Sequence, residues 1–159
     1  MEQSSGMTFD ELSAFLKLAN KNTYANKDAA KAPPSRLESE DYHFEKDSLV
    51  YHDTYFGSRD FIGEEVIYKD NKPVWGMNYY GYILSETTNE KELYGFLRQA
   101  LIQEYSDIIP VRGPVNYQKD DWKYNNSTEG ELGRFTGTEE IHRAGVLVYK
   151  CHYHGGFIN

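Results

Sequence analysis

One cysteine cannot close a disulfide, and Cys151 is the only cysteine in the chain. A reducing, cytoplasmic setting is the simplest expectation. Proline is sparse, five in 159 residues. Two of the five stand together at Pro33-Pro34, where no helix can continue. No run approaches the ~20 apolar residues of a membrane span, and the polar stretch from Met1 to Met7 lacks a signal peptide's apolar region. Positive charge is in short supply. There are 17 Lys and Arg against 25 Asp and Glu, a net charge of −8. Without a Lys/Arg cluster, such a chain is not expected to engage nucleic-acid phosphates or anionic membrane surfaces directly. Motifs for covalent or nucleotide chemistry are missing too: no Gly-x-Ser-x-Gly, no phosphate loop, no dinucleotide fingerprint. No cofactor is expected.

What the chain has in quantity is tyrosine, 14 residues, with 8 Phe and 2 Trp. Hydrophobic residues are 39% and charged ones 26%, a balance that supports one globular domain over 1–159. Thr8 and Glu11 form a capping box ahead of Leu12, Phe15, Leu16 and Ala19, so a helix is predicted over about 9–20, after a loose tail at 1–6. Residues 21–40 read as a long loop. From Asp41 the texture turns aromatic and β-branched, with strands predicted at 41–46, 48–56, 60–69 and 73–84. Lys46-Asp47-Ser48 and Lys69-Asp70-Asn71-Lys72 suit hairpin turns. Asn89 caps a second helix, about 90–105.

The stretch Phe61–Ile83 matches Phe135–Phe157 without a gap. Phe61/Phe135, Gly63/Gly137, Glu65/Glu139, Ile67/Ile141, Val74/Val148, Tyr79/Tyr153 and Gly81/Gly155 are identical. The matches continue outward through Phe15-Leu16 and Phe96-Leu97, Pro34-x-Arg36 and Pro110-x-Arg112, and Lys46-Asp47 and Lys119-Asp120. The predicted fold is therefore α+β: a tandem duplication of a helix followed by three or four antiparallel strands. Its halves, about 9–84 and 90–158, would pack face to face as one pseudo-twofold domain with a cleft between them.

Val74-Trp75-x-Met77-Asn78-Tyr79-Tyr80-Gly81, Arg112-Gly113-Pro114, Phe135-x-Gly137-x-Glu139-Glu140-Ile141 and Tyr153-His154-Gly155-Gly156 together resemble a bacterial domain family of unknown function. Its members occur alone or behind a helix-turn-helix segment in regulators of the xenobiotic-response type. The resemblance covers roughly 10–158. It implies a sensing or regulatory role and lends no catalytic residue. No separate DNA-binding segment is read in this chain, so a transcriptional role would need a partner.

Strand alternation sorts the candidate site residues. Trp75, Met77 and Tyr79 share a face, as do Tyr149, Cys151 and Tyr153, and this face reads as core. Asn78 and Tyr80, with His152 and His154, take the other, polar face, which is either solvated or the wall of the cleft. Trp75, Asn78, Tyr80, His152 and His154 are the candidate ligand lining. Glu65 and Glu139 fall on the core face, where a carboxylate needs a partner. Arg36 and Arg112 could pair with them and pin the loop after each helix. Alternatively the glutamates approach each other and one, its pKa raised, acts as acid or base. Cys151-His152-Tyr153-His154 invites a metal reading, but Cys151 points away from the two histidines. His142, a glutamate or a residue on another strand would have to complete the set with His152 and His154.

Three functions fit. The leading one is a noncatalytic sensor that holds a small molecule or a partner protein between the halves, in a regulatory setting. The second is a small hydrolase or isomerase using Glu65 or Glu139 with a histidine. The third is an interaction protein that forms a homodimer through exposed aromatics.

Overall fold

The computed structural model describes residues 6–159, so all of the expected tail except Gly6 lies outside the described residues. Helix α1 (Phe9–Asn22) is followed by strands β1 (Glu40–Lys46), β2 (Leu49–Gly57), β3 (Asp60–Lys69) and β4 (Lys72–Ile83). Helix α2 (Glu90–Leu101) then leads into β5 (Asn116–Lys119), β6 (Trp122–Glu131), β7 (Arg134–Arg143) and β8 (Val146–Phe157). Thr8 caps α1, its hydroxyl accepting from the Glu11 amide while the Glu11 carboxylate accepts from the Thr8 amide. Asn89 caps α2 through the Glu92 amide. The strands turn on residues that tolerate left-handed backbone: Asp47, Asp70, Asn71 and Asp120 all have φ between 50° and 63°.

The eight strands form one antiparallel sheet in the order β1-β2-β3-β4-β8-β7-β6-β5. This overturns the expected tandem duplication of helix-plus-strands halves packed face to face. The chain is mostly a single eight-stranded sheet with two short helices. The reason lies in β4 and β8, which hydrogen-bond edge to edge from Trp75↔Phe157 to Ile83↔Tyr149. That pairing uses the edges that separate halves would have left open, and it leaves no interface between two facing sheets. The recurring residues of the sequence mark hairpin turns and close-approach glycines, and such marks carry no information on which distant strands will pair.

Both helices lie on one face of the sheet. Leu12, Phe15, Leu16 and Ala19 of α1 are buried, as are Leu93, Phe96, Leu97 and Ala100 of α2. Phe15 packs on Phe44 of β1, and Phe96 stacks on Tyr117 and Trp122 of β5 and β6. Burying one Leu or Phe contributes roughly 1.5–3 kcal/mol. Two glycines shape the floor beneath them. A Cβ on Gly63 would sit 2.3 Å from the Tyr79 hydroxyl, and one on Gly137 would sit 2.1 Å from the Tyr153 ring. The missing side chains let each tyrosine lie flat across the neighbouring strand. Tyr79 then donates to Asp53 on β2 at 2.6 Å, and Tyr153 donates to Asn126 on β6.

Gly137→Ala is expected to cost ~1–3 kcal/mol, because the tyrosine must leave its bed and its hydrogen bond. Gly95→Ala, in α2 with nothing within 4 Å of the new methyl, should instead gain ~0.5–1 kcal/mol from helix propensity. Urea unfolding of both variants checks the pair of signs.

Candidate functional site

Alternation along β2, β3, β6, β7 and β8 aims a band of polar side chains at the face under the helices. Asp53 stands directly across from Glu65, and Asn126 directly across from Glu139. Glu65 is 2% exposed and Glu139 0%. Buried carboxyls of this kind require compensation.

Arg112 supplies it for one of them. It enters from the loop after α2 in a left-handed backbone conformation, φ 66°, a strained state that surrounding contacts must hold. Tyr105 donates to the Arg112 carbonyl at 2.9 Å, Gly113 N–H donates to the Tyr124 hydroxyl, and Asn126 donates to the Gly113 carbonyl. The guanidinium donates to both Glu139 oxygens, Nε at 3.1 Å and Nη2 at 2.9 Å. Tyr124 and Tyr149 donate to the same carboxylate at 2.6 and 2.7 Å. Glu139 is thus fully satisfied, and Arg112 lies over the rings of Tyr24 and Tyr79.

The other carboxyls are not so served. Arg36 is exposed and approaches Glu64 at 4.0 Å, so the expected arginine–glutamate pairing forms only at Glu139. Glu65 Oε1, Tyr51 Oη and Tyr24 Oη are buried without a hydrogen-bond partner among the described residues. Burial pushes the Asp53 carboxyl up to about 7, against the Tyr79 hydrogen bond and the Arg112 charge. Burial, then the neighbouring Asp53, pushes Glu65 up to about 8.

Asp53, Tyr79, Arg112 and Tyr24 form the polar floor of a cavity of about 340 Å³ between the sheet and α2. Phe61, Tyr94, Leu97 and Leu101 give it apolar walls. At its mouth Glu40 accepts from Lys31 and Tyr55, with Arg98 and Glu90 nearby.

The residues expected to line a ligand site lie elsewhere. Trp75 is fully buried and donates to the Leu132 carbonyl at 2.9 Å. Asn78, Tyr80, His152 and His154 do gather, around a hollow of about 560 Å³ on the opposite, outer face of the sheet. Asn78 faces His154 and Tyr80 faces His152 across the β4–β8 ladder. All five histidines, His43, His52, His142, His152 and His154, alternate onto that outer face, so the sheet separates each of them from Glu65 and Glu139. Among the described residues no three His, Cys, Asp or Glu side chains group as a metal set. Cys151 is buried, and burial pushes its thiol up to about 12, which leaves it unreactive. Sequence reasoning missed Asp53 and Tyr24. Asp53 was detectable, since it shares its strand parity with Tyr51 and Tyr55. Tyr24 sits in a loop, where no periodicity aims it.

Among comparisons with known proteins, a family model described as a domain of unknown function (DUF5680) matches residues 53–158. No curated protein and no solved structure matches the chain. No helix among the described residues is long and apolar enough to cross a membrane.

The two raised carboxyls set a pH dependence. Unfolded, Asp53 and Glu65 lose their protons near their ordinary values of 3.8 and 4.5; folded, they keep them to about 7 and 8. The folded chain binds more protons in that window, so their contribution, complete below about pH 4, is lost as pH rises toward 8. Asp41, whose carboxyl is held low, acts oppositely and only in more acid solution. Urea midpoints should therefore fall between pH 5 and pH 8. The Asp53→Asn/Glu65→Gln double variant should flatten that slope, and an unchanged slope would mean that both groups are ionised in the folded chain.

Proposed function

This chain belongs to the DUF5680 family, domains of unknown function, and on that footing we propose that it is a noncatalytic small-molecule sensor whose ligand occupies the cavity under α2. One observation carries the reading. The cavity floor presents the Asp53 carboxyl and Tyr24 Oη, a hydroxyl without a partner among the described residues, under walls that are otherwise apolar. About 340 Å³ falls within the range of small-molecule pockets, and a few convergent polar groups in an apolar cleft are their usual make-up. The ligand class that fits is a compact organic molecule. It has an amine or hydroxyl to donate to Asp53, an acceptor for Tyr24, and an apolar body to lie against Phe61 and Tyr94. A bacterial, cytoplasmic and regulatory setting, with a DNA-binding partner or fusion, is part of the proposal and rests on the family resemblance of the motifs.

A second reading is acid–base chemistry, and the observation favouring it is again Asp53, whose proton is held to about pH 7 at the cavity floor. It differs from the expected glutamate–histidine pair, whose members lie on opposite faces of the sheet.

A thermal-shift screen of fragment-sized amines and alcohols tests the leading reading. Hits should bind at least tenfold more weakly to Asp53→Asn, and to Ser58→Trp, which places a bulky ring at the mouth. Tyr80→Ala, on the outer face, should leave them unchanged. Hits that follow Tyr80 and ignore Asp53 would move the site to the outer hollow and end this reading. Turnover of any hit by the wild type, lost in Asp53→Asn, would favour the second.

A further inference from the structure

On the outer face, away from the cavity, the first two strands bring together a pair of imidazoles. His43 of β1 and His52 of β2 are direct cross-strand partners. Their Nδ1 atoms stand 3.2 Å apart. Each ring is anchored at its other nitrogen by a carboxylate, His43 Nε2 to Glu45 at 2.7 Å and His52 Nε2 to Asp41 at 2.6 Å.

The protons follow from those anchors. Asp41 already accepts from Ser35 N–H and from the hydroxyls of Ser35, Ser39 and Thr54. With those donors on it Asp41 acts as an acceptor, so His52 presents its Nε2–H to Asp41, and His43 presents its Nε2–H to the Glu45 carboxylate. Two Nδ1 lone pairs are then left facing each other. At 3.2 Å they repel unless something positive stands between them. A proton can do so, and so can a metal ion.

The spacing suits the metal. Two nitrogens each ~2.0–2.1 Å from a tetrahedral ion lie ~3.3 Å apart. A histidine ligand whose far nitrogen donates to a carboxylate is also the usual arrangement around protein-bound metals, because the carboxylate fixes the tautomer and strengthens the donor. The side chains are 39% and 27% exposed, which leaves room for an ion to enter and for water to complete its shell. We propose that His43 and His52 form a two-imidazole site for a divalent transition-metal cation such as Zn²⁺, bound through both Nδ1 atoms with water in the remaining positions.

Isothermal titration of the tag-free full chain with Zn²⁺ at pH 7 tests this. The expected result is saturable binding of one ion per chain. His43→Ala and His52→Ala should each weaken it at least tenfold, and Glu45→Ala, which removes an exposed anchor, about tenfold. His152→Ala/His154→Ala should bind as the wild type does, and circular dichroism confirms that each variant is folded. Absence of saturable binding overturns the site and leaves the pair bridged by a proton. So does binding that survives loss of His43 and His52, or that disappears with His152 and His154.

Discussion

The interior of this protein depends on one guanidinium. Three carboxyls, Asp53, Glu65 and Glu139, are buried on the same face of the sheet, and among the described residues Arg112 is the only arginine or lysine buried with them. It satisfies Glu139 with two charge-assisted hydrogen bonds, and two tyrosines complete that carboxylate's shell. An ion pair so enclosed owes its persistence to geometry, since desolvation cancels much of the Coulomb attraction. The geometry comes from the 111–113 loop, whose backbone is tied down by Tyr105, Tyr124 and Asn126. With the arginine committed to Glu139, the Asp53–Glu65 side is left short of positive charge, and protons take the place of a second cation.

The sheet is what keeps two chemistries apart. Its inner face carries carboxyls and phenols in a dry setting, roofed by α1 and α2. Its outer face carries all five imidazoles. Tyrosine connects sequence to site here, because its ring can lie over a glycine of the next strand and deliver a hydroxyl two strands away. Tyr79 reaches Asp53 over Gly63 in this way, and Tyr153 reaches Asn126 over Gly137.

Much of the local structure was legible in the sequence. The capping box at Thr8, the Asn89 cap, the Asp-containing turns and the core parity of Trp75, Met77 and Tyr79 all follow from short-range rules. The architecture was not, because strand order depends on which edges meet, and β4 and β8 meet across a separation that no periodicity records. The site was legible in part. Glu139 and Arg112 were paired from their residue types alone, whereas Arg36 turned out to be exposed, since the loop carrying it is fastened by Asp41 through Ser35 and Ser39 instead. Asn78, Tyr80, His152 and His154 were placed on one face correctly, yet parity cannot say which face is roofed. The His43–His52 pair escaped notice because it joins two strands, and its meaning appears only once their register is known.

The central β4–β8 ladder has a consequence for how the molecule is made. Tyr79 pairs with Tyr153, so β4 must wait through the synthesis of α2 and three further strands before its partner exists. Until β8 emerges, an edge bearing Trp75, Met77 and Tyr79 is open, and open apolar edges recruit other chains. Closure of the sheet therefore waits on residues 146–157. A chain cut short before β8 would be an aggregation-prone sheet with an unsatisfied side, not a smaller version of the fold.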